Sequence, residues 1–303
     1  MGVGRRPGAA ALATAGAVLF SSVSVFPASP ALSASRTAAA APAAVAPATA
    51  TAASGTAFPG TGSSGAVSPG AAFPGTGSSG GAAYGGSGFA APGKTLKLGA
   101  KGAAVKVLQG RLAALGYAPG RIDGRYGGAT LAAVWAFQKV NGIRPTSTVA
   151  RRTWTALDAP RAPRVLVGNG KPTRVEVDLA RQVMVLYVGG TVKLISHTSS
   201  GSGIAYCETA TWQGRTQRFC GNARTPTGDY KTTWRRDGWH VSYLGQLYNP
   251  IFFNGGIAFH GALSVPLAPA SHGCVRLPMH VAEVLPGLLG TGVPVHVRGR
   301  FVR

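Results

Sequence analysis

The chain has 303 residues, enough for about two domains plus extensions, and its 45 Gly and 21 Pro place much of it outside any packed core. Lys and Arg number 30 against 8 Asp and Glu, a formal net charge of +22 that favours anionic partners by long-range attraction. No nucleic-acid-binding motif accompanies that charge, so nucleic acid is excluded as the expected partner.

Arg5 and Arg6 precede a stretch, Ala9 to Phe26, that is almost free of polar groups, the pattern of a secretory signal peptide. Small residues from Ser29 to Ser35 offer cleavage positions without marking one. The apolar run is at the lower edge of what spans a bilayer, so an uncleaved anchor stays open, and membrane contact is expected only through it. Residues 1–35 are therefore read as signal peptide or anchor, and the rest as secreted or cell-wall associated, outside the cytoplasmic membrane. Residues 36–93 are Ala, Pro, Thr, Gly and Ser with almost no charge, and AFPGTGSSG occurs at both Ala57 to Gly65 and Ala72 to Gly80. Such a composition buries too little apolar surface to offset the entropy of ordering, which makes it a flexible tether.

Helical spacing begins after Thr95: Val105, Leu108, Leu112 and Leu115 form one face, and Gly116 supplies a stop. A glycine-rich loop leads to a second helix from about Ala129 to Asn141, with Val134, Phe137 and Val140 on one face. Thr148 is expected to cap a third short helix carrying Trp154 and Leu157. Residues 94–159 thus read as a small all-α three-helix bundle. The string Leu98, Gly99, Gly102, Val105, Leu108, Gln109, Leu112, Gly116, Tyr117, Gly120, Asp123, Gly124, Tyr126, Gly127, Thr130, Ala133, Val134, Phe137, Gln138 resembles the PG_binding_1 peptidoglycan-binding module. That resemblance implies peptidoglycan as a partner.

After a proline-marked linker, Ala159 to Pro163, the period changes to two, and residues 164–303 are expected to be mostly β. Val175, Val177 and Leu179 alternate with polar neighbours, Val183 to Val188 is a more buried run, and Gly189-Gly190 turns a hairpin into Thr191 to His197. Further strands are expected at Tyr230 to Trp234, around Ile257 to Phe259, and at Val293 to Val297. Pro278 opens a short helix with Val281, Val284 and Leu285 on one face. Trp239, Tyr243, Tyr248, Phe252 and Phe253 make an aromatic approach to His260.

The chemistry is concentrated in IAFHGALSVPLAPASHGCVRL, residues 257–277. A thiol attacks as its thiolate, so Cys274 needs a base and a field that favours negative charge. His260 and His272 are the two candidate bases; His260 is preferred, because it can reach Cys274 across a loop of about a dozen residues, whereas His272 is only two residues away. Gly273 lets a carbonyl approach the backbone, where the Gly273 and Cys274 amides are placed to receive an oxyanion. Arg276 adds a charged fork suited to a carboxylate. A zinc site on His260, His272 and Cys274 is the rival reading, but there is no acidic residue between Asp237 and Glu283 to complete it; no metal or cofactor is expected.

The pairing of HG at His260-Gly261 with SHGCVRL at Ser271 to Leu277 resembles the signature of YkuD-type L,D-transpeptidases, and ARTPTGDY at Ala223 to Tyr230 also matches. The resemblance implies that Cys274 is the acyl-enzyme nucleophile and His260 its base and acid, with the Gly261 carbonyl orienting the imidazole. It also implies that Ser271, His272 and Gly273 shape the oxyanion site. Arg276 stands where some members carry asparagine. The implied activity is acyl transfer between peptidoglycan stem peptides, with anionic wall polymers as further partners of so basic a chain. Transfer to water, or a catalytically silent wall-binding scaffold, are the alternatives. Because every candidate catalytic residue follows Arg164, the catalytic region is expected to act on small stems without the bundle.

With Cys274 committed to catalysis, Cys207 and Cys220 are the pair left to form a disulfide, which an exported chain can keep; two unpaired thiols are the alternative. The segment between them, Glu208 to Phe219, is polar and shows no helical or strand period, so it is expected as an inserted loop.

Overall fold

A computed structural model describes residues 89–302. The expected leader and its cleavage region, and the tether up to residue 88 with both repeats, lie outside the described residues.

The first part of the described chain is helical. Strand β1 (Leu96–Lys97) pairs antiparallel with β2 (Thr148–Val149), and between and after them come α1 (Ala103–Ala114), α2 (Gly128–Val140) and α3 (Arg151–Asp158). Val105, Leu108, Leu112, Val134, Phe137 and Leu157 are fully buried, as their spacing predicts. Gln109 holds the intervening loop: its amide donates to Asp123 Oδ1 (3.1 Å) and Thr130 Oγ1 (3.0 Å), while its Oε1 accepts from the Gly124 amide (2.8 Å). Thr148 does not cap α3. It pairs in β2, and α3 starts after Ala150 with no side-chain cap. Phe89 stacks on Trp154 at 6.2 Å, so the end of the stretch read as tether docks on this module, and the Lys94 carbonyl accepts from the Trp154 indole at 2.7 Å.

The second part is mostly β. In chain order it contains β3 (Arg174–Asp178), β4 (Val183–Val188), β5 (Thr191–His197), β6 (Ala205–Trp212), β7 (Arg215–Asn222), β8 (Gly228–Lys231), β9 (Trp239–Ser242), β10 (Gly245–Asn254), β11 (Ile257–Ala262), β12 (Val275–Pro278), α4 (Met279–Leu288) and β13 (Pro294–Arg298). One sheet has the order β5-β4-β3-β13-β8, a second β12-β11-β10-β9, and β6 with β7 forms a separate ribbon. Val175, Val177, Met184, Leu186, Ile251, Phe253, Phe259, Val275, Leu277, Val281 and Leu285 meet in one core drawn from both sheets and α4. Val284, expected on the buried face of that helix, is 49% exposed. The expected loop between Cys207 and Cys220 is the β6–β7 hairpin, turned by Gln213-Gly214, both at positive φ (52° and 74°).

The helical and β parts share a core. β4 is buried on both faces: Met184 and Leu186 point into the core between the sheets, while Val183, Val185 and Tyr187, with Ile195 of β5, join Leu108, Leu112, Tyr117 and Phe137 of the helical module. Ile195 N–H donates to the Gly116 carbonyl (2.8 Å), and His280 Nε2 on α4 bonds the Ala118 carbonyl (2.9 Å). Lys139 on α2 is buried against the β part, where Nζ is 2.7 Å from His197 Nδ1 and donates to the Gln182 carbonyl at 3.1 Å. Burial lowers the Lys139 ammonium to about 7.

Candidate active site

Period-two alternation divides the second sheet into a core face and a cleft face. Ile251, Phe253, Phe259, Val275 and Leu277 point inward, whereas Phe252, Ala258, His260 and Arg276 lie on the other face. β11 and β12 are parallel, joined by the 12-residue crossover 263–274, with Phe259 opposite Val275 and His260 opposite Arg276. Cys274 comes just before β12 and packs among Leu247, Phe252 and Ala258. It is therefore a diagonal neighbour of His260 on the same face, at a backbone offset of roughly 7–8 Å that the two side chains can bridge. Both side chains line a cleft of about 710 Å³.

The His260 imidazole is buried, and its Nδ1 lies 2.9 Å from the Gly261 carbonyl oxygen. A carbonyl only accepts, so Nδ1 carries the hydrogen and Nε2 keeps its lone pair, the tautomer a base requires. Burial lowers the imidazole from 6.5 to about 4; the Gly261 bond opposes this and the Arg276 charge adds to it. The thiol of Cys274 is raised by burial, against the Ala258 amide and the Arg276 charge, which lower it. Both directions favour thiol and neutral imidazole over an ion pair. The positive end of α4, expected to help the thiolate, is at the far end of β12, about 13 Å along the strand, so its influence at Cys274 is small.

The SHGC loop is held from within and behind. Ser271 Oγ donates to the Cys274 carbonyl (2.5 Å) and accepts from the Gly273 amide (3.0 Å). The Gly273 amide is thus already engaged, which corrects the expectation of two free oxyanion donors and leaves the Cys274 amide as the candidate. Thr225 Oγ1 donates to the Gly273 carbonyl (2.6 Å) and accepts from Gly201 N–H (2.8 Å), a buttress supplied by the TPTG turn. Gly273 sits at φ +148°, and a Cβ there would stand 3.0 Å from the Arg224 carbonyl oxygen. Gly261, expected to orient the imidazole through its carbonyl, faces α4: a Cβ would meet Ala282 at 2.9 Å and Met279 Sδ at 3.1 Å. Its contribution to the site is the carbonyl on His260.

His272 turns toward the β6–β7 hairpin. Its Nε2 lies 2.7 Å from Glu208 Oε1, and its ring meets the Tyr206 ring edge-on at 4.7 Å. Among the described residues, no three His, Cys, Asp or Glu side chains gather as a metal site. The Cys207 and Cys220 sulfurs are bonded across the hairpin, and Cys274 is free. Tyr206 and Trp212 reach the cleft from the hairpin, and Trp234, Trp239 and Tyr243 also line it. Glu208, Thr225, Tyr206 and Trp212 were not identified from the sequence. Of these, only Thr225 had a signal, in the TPTG turn.

Two family models match the chain: the L,D-transpeptidase catalytic domain (YkuD) over residues 172–297, and a peptidoglycan-binding domain over residues 101–157. The chain is 39% identical to a solved L,D-transpeptidase from Xylanimonas cellulosilytica, with a TM-score of 0.60 over 68% of this chain and 98% of that one. Lower similarity relates it to the L,D-transpeptidase of Stackebrandtia nassauensis (24% identity, TM-score 0.39, 68% and 96% covered). The catalytic domain of the E. faecium enzyme is similar at 22% identity, with a TM-score of 0.31 over 43% of this chain and 100% of that one. The comparison with curated proteins gave no match. Fold and site together define an enzyme with a β catalytic domain behind a helical peptidoglycan-binding module. The chain belongs to the L,D-transpeptidase family, whose catalytic domain supports a function in peptidoglycan cross-linking.

Proposed function

We propose that the protein is an exported L,D-transpeptidase that works through an acyl-enzyme on Cys274. The observation that carries this reading is the 2.9 Å contact of His260 Nδ1 with the Gly261 carbonyl, which leaves Nε2 the lone pair a base needs, in a cleft that His260 and Cys274 line together. The Cys274 sulfur attacks the carbonyl of the third residue of a donor stem while His260 Nε2 takes the S–H proton. The oxyanion meets the Cys274 amide, and the imidazolium returns its proton to the departing amine. A second stem's amine then displaces the sulfur and forms the cross-link. Arg276 binds a stem carboxylate.

Two features support export: the signal-like stretch before Phe26 and the Cys207–Cys220 bond, since disulfides persist in oxidising compartments. On this reading the protein acts outside the cytoplasmic membrane, and its basic charge favours anionic wall polymers as neighbours.

The test is the mass of the protein after incubation with a defined stem peptide. The unsubstituted chain should gain the acyl fragment and release a linked or shortened stem. Cys274→Ser should gain nothing while keeping its melting temperature. Turnover by that variant would remove Cys274 from the reaction.

A further inference from the structure

The acyl-enzyme proposed above must meet an amine, and that amine arrives carrying a charge. A primary alkylamine is an ammonium ion at neutral pH, so it has to lose a proton before it can attack a thioester. His260, neutral again in the acyl-enzyme, carries one of the amine's protons to the departing sulfur, and an ammonium ion has two to lose. The acceptor therefore requires a second base, together with a negative group to hold the cation.

The β6–β7 hairpin supplies both. Tyr206, Glu208 and Trp212 lie on one face of β6, and Tyr206 and Trp212 line the cleft. Glu208 Oε1 contacts Nε2 of His272, itself a cleft residue. A carboxylate only accepts, so Nε2 carries the hydrogen and Nδ1 the lone pair, the same division of roles that Gly261 imposes on His260 from the other ring nitrogen. Phe219, opposite Glu208 in the hairpin, stacks on Tyr243 of the β9–β10 turn at 4.1 Å, so the hairpin is braced across the cleft. His272 and Arg276 flank Cys274 two residues to either side, which puts opposite charges, Glu208 and Arg276, around the thiol. As a fastening alone the pair is poor, because side chains 30% and 47% exposed gain little from ion pairing in water.

We propose that the Glu208–His272 pair is the acceptor site, which receives the ammonium group of the second stem and takes the proton it must lose. The substrate class this favours is an amine with a carboxylate nearby, each charge meeting its counterpart in Glu208 and Arg276. The step balances as follows. His272 Nδ1 removes one proton from the ammonium ion. The freed amine nitrogen bonds to the acyl carbon, and His260 takes a second proton from that nitrogen. The C–S bond breaks, and His260 passes its proton to the Cys274 sulfur. One amide and one thiol form, and the proton on His272 leaves to solvent. Glu208 acts on the proton transfer through His272, as a positioning residue, and touches the substrate only as the counter-ion of the ammonium.

This inference rests on the acyl-enzyme reading, and one experiment separates the two. The protein and its Glu208→Gln variant are acylated with a donor stem, and the acyl-enzyme is followed by protein mass. It is then offered an alkylamine-bearing stem, which is cationic at neutral pH, or hydroxylamine, which is neutral there. Gln keeps an oxygen for the His272 hydrogen and loses only the charge. In the variant the ratio of transfer to hydrolysis should fall about tenfold for the cationic acceptor, the difference between a charged and a neutral hydrogen bond, and should hold for hydroxylamine. Glu208→Asp should recover part of the loss. An unchanged ratio for the cationic acceptor, or an equal fall for both acceptors, would overturn the proposal. Absence of an acyl-enzyme in the unsubstituted protein would overturn the reading beneath it and this proposal together.

Discussion

His260 is 5% exposed, and its folded pKa of about 4 lies below its ordinary 6.5 because burial disfavours the charged ring. Only the neutral ring accepts the thiol's proton. Acylation measured by protein mass should therefore persist from neutral pH downward and fall only as pH passes about 4; loss centred near 6.5 would contradict this assignment of the base. The same shift bears on stability. A depressed folded pKa gives a contribution fully present above 6.5 and lost as pH falls toward about 4, an effect on the order of 3 kcal/mol. Cys274, His260 and Arg276 were legible because they lie within one short motif. Glu208 was not, since 64 residues separate it from the His272 it contacts.

The β6–β7 hairpin escaped the sequence reading for a reason of its own. One face is exposed throughout and the other, with Tyr206, Ala210 and Trp212 half-buried, also carries the exposed Glu208, so the alternation of apolar and polar positions is too weak to detect. Its strands are specified by cross-strand contacts: the Cys207–Cys220 bond, the Thr211–Thr216 hydroxyl pair at 2.7 Å, and a turn with two residues at positive φ. Thiol titration of the denatured, non-reduced protein should find one thiol, that of Cys274; three would dissolve the staple. Replacing Cys207 and Cys220 together by Ser should lower stability by up to about 3 kcal/mol, read from denaturant unfolding. It should also lower the transfer-to-hydrolysis ratio, because Glu208 adjoins the bridge.

The helical module and the catalytic sheet were expected to be separable, and their shared core changes that expectation. Val183, Val185, Tyr187 and Ile195 are at most 5% exposed, and they are covered by the module. Uncovering four such side chains would forfeit roughly 6–12 kcal/mol of burial, comparable to the whole stability of a domain. A chain truncated to begin at Arg161 should therefore melt far below the chain that begins at Phe89, or aggregate, when the two are compared by thermal unfolding. Polar substitutions at Val183 and Val185 should restore its solubility. A truncated chain as stable as the longer one would show that the contact contributes little.

Local rules acting over a few residues were readable from the amino acids in order. Helical spacing placed α1 and α2, period two placed β3, an unbroken apolar run before Gly189-Gly190 placed β4, and the motif around Cys274 carried its thiol, base and anion fork together. Contacts between distant residues needed the folded chain. The crossover into parallel β12 set Cys274 diagonal to His260. Packing against α4 explained Gly261, and Thr225 and Glu208 arrived from segments with no period of their own. The physical reason is that side-chain periodicity reports which face of an element is buried, and says nothing of which distant element covers it.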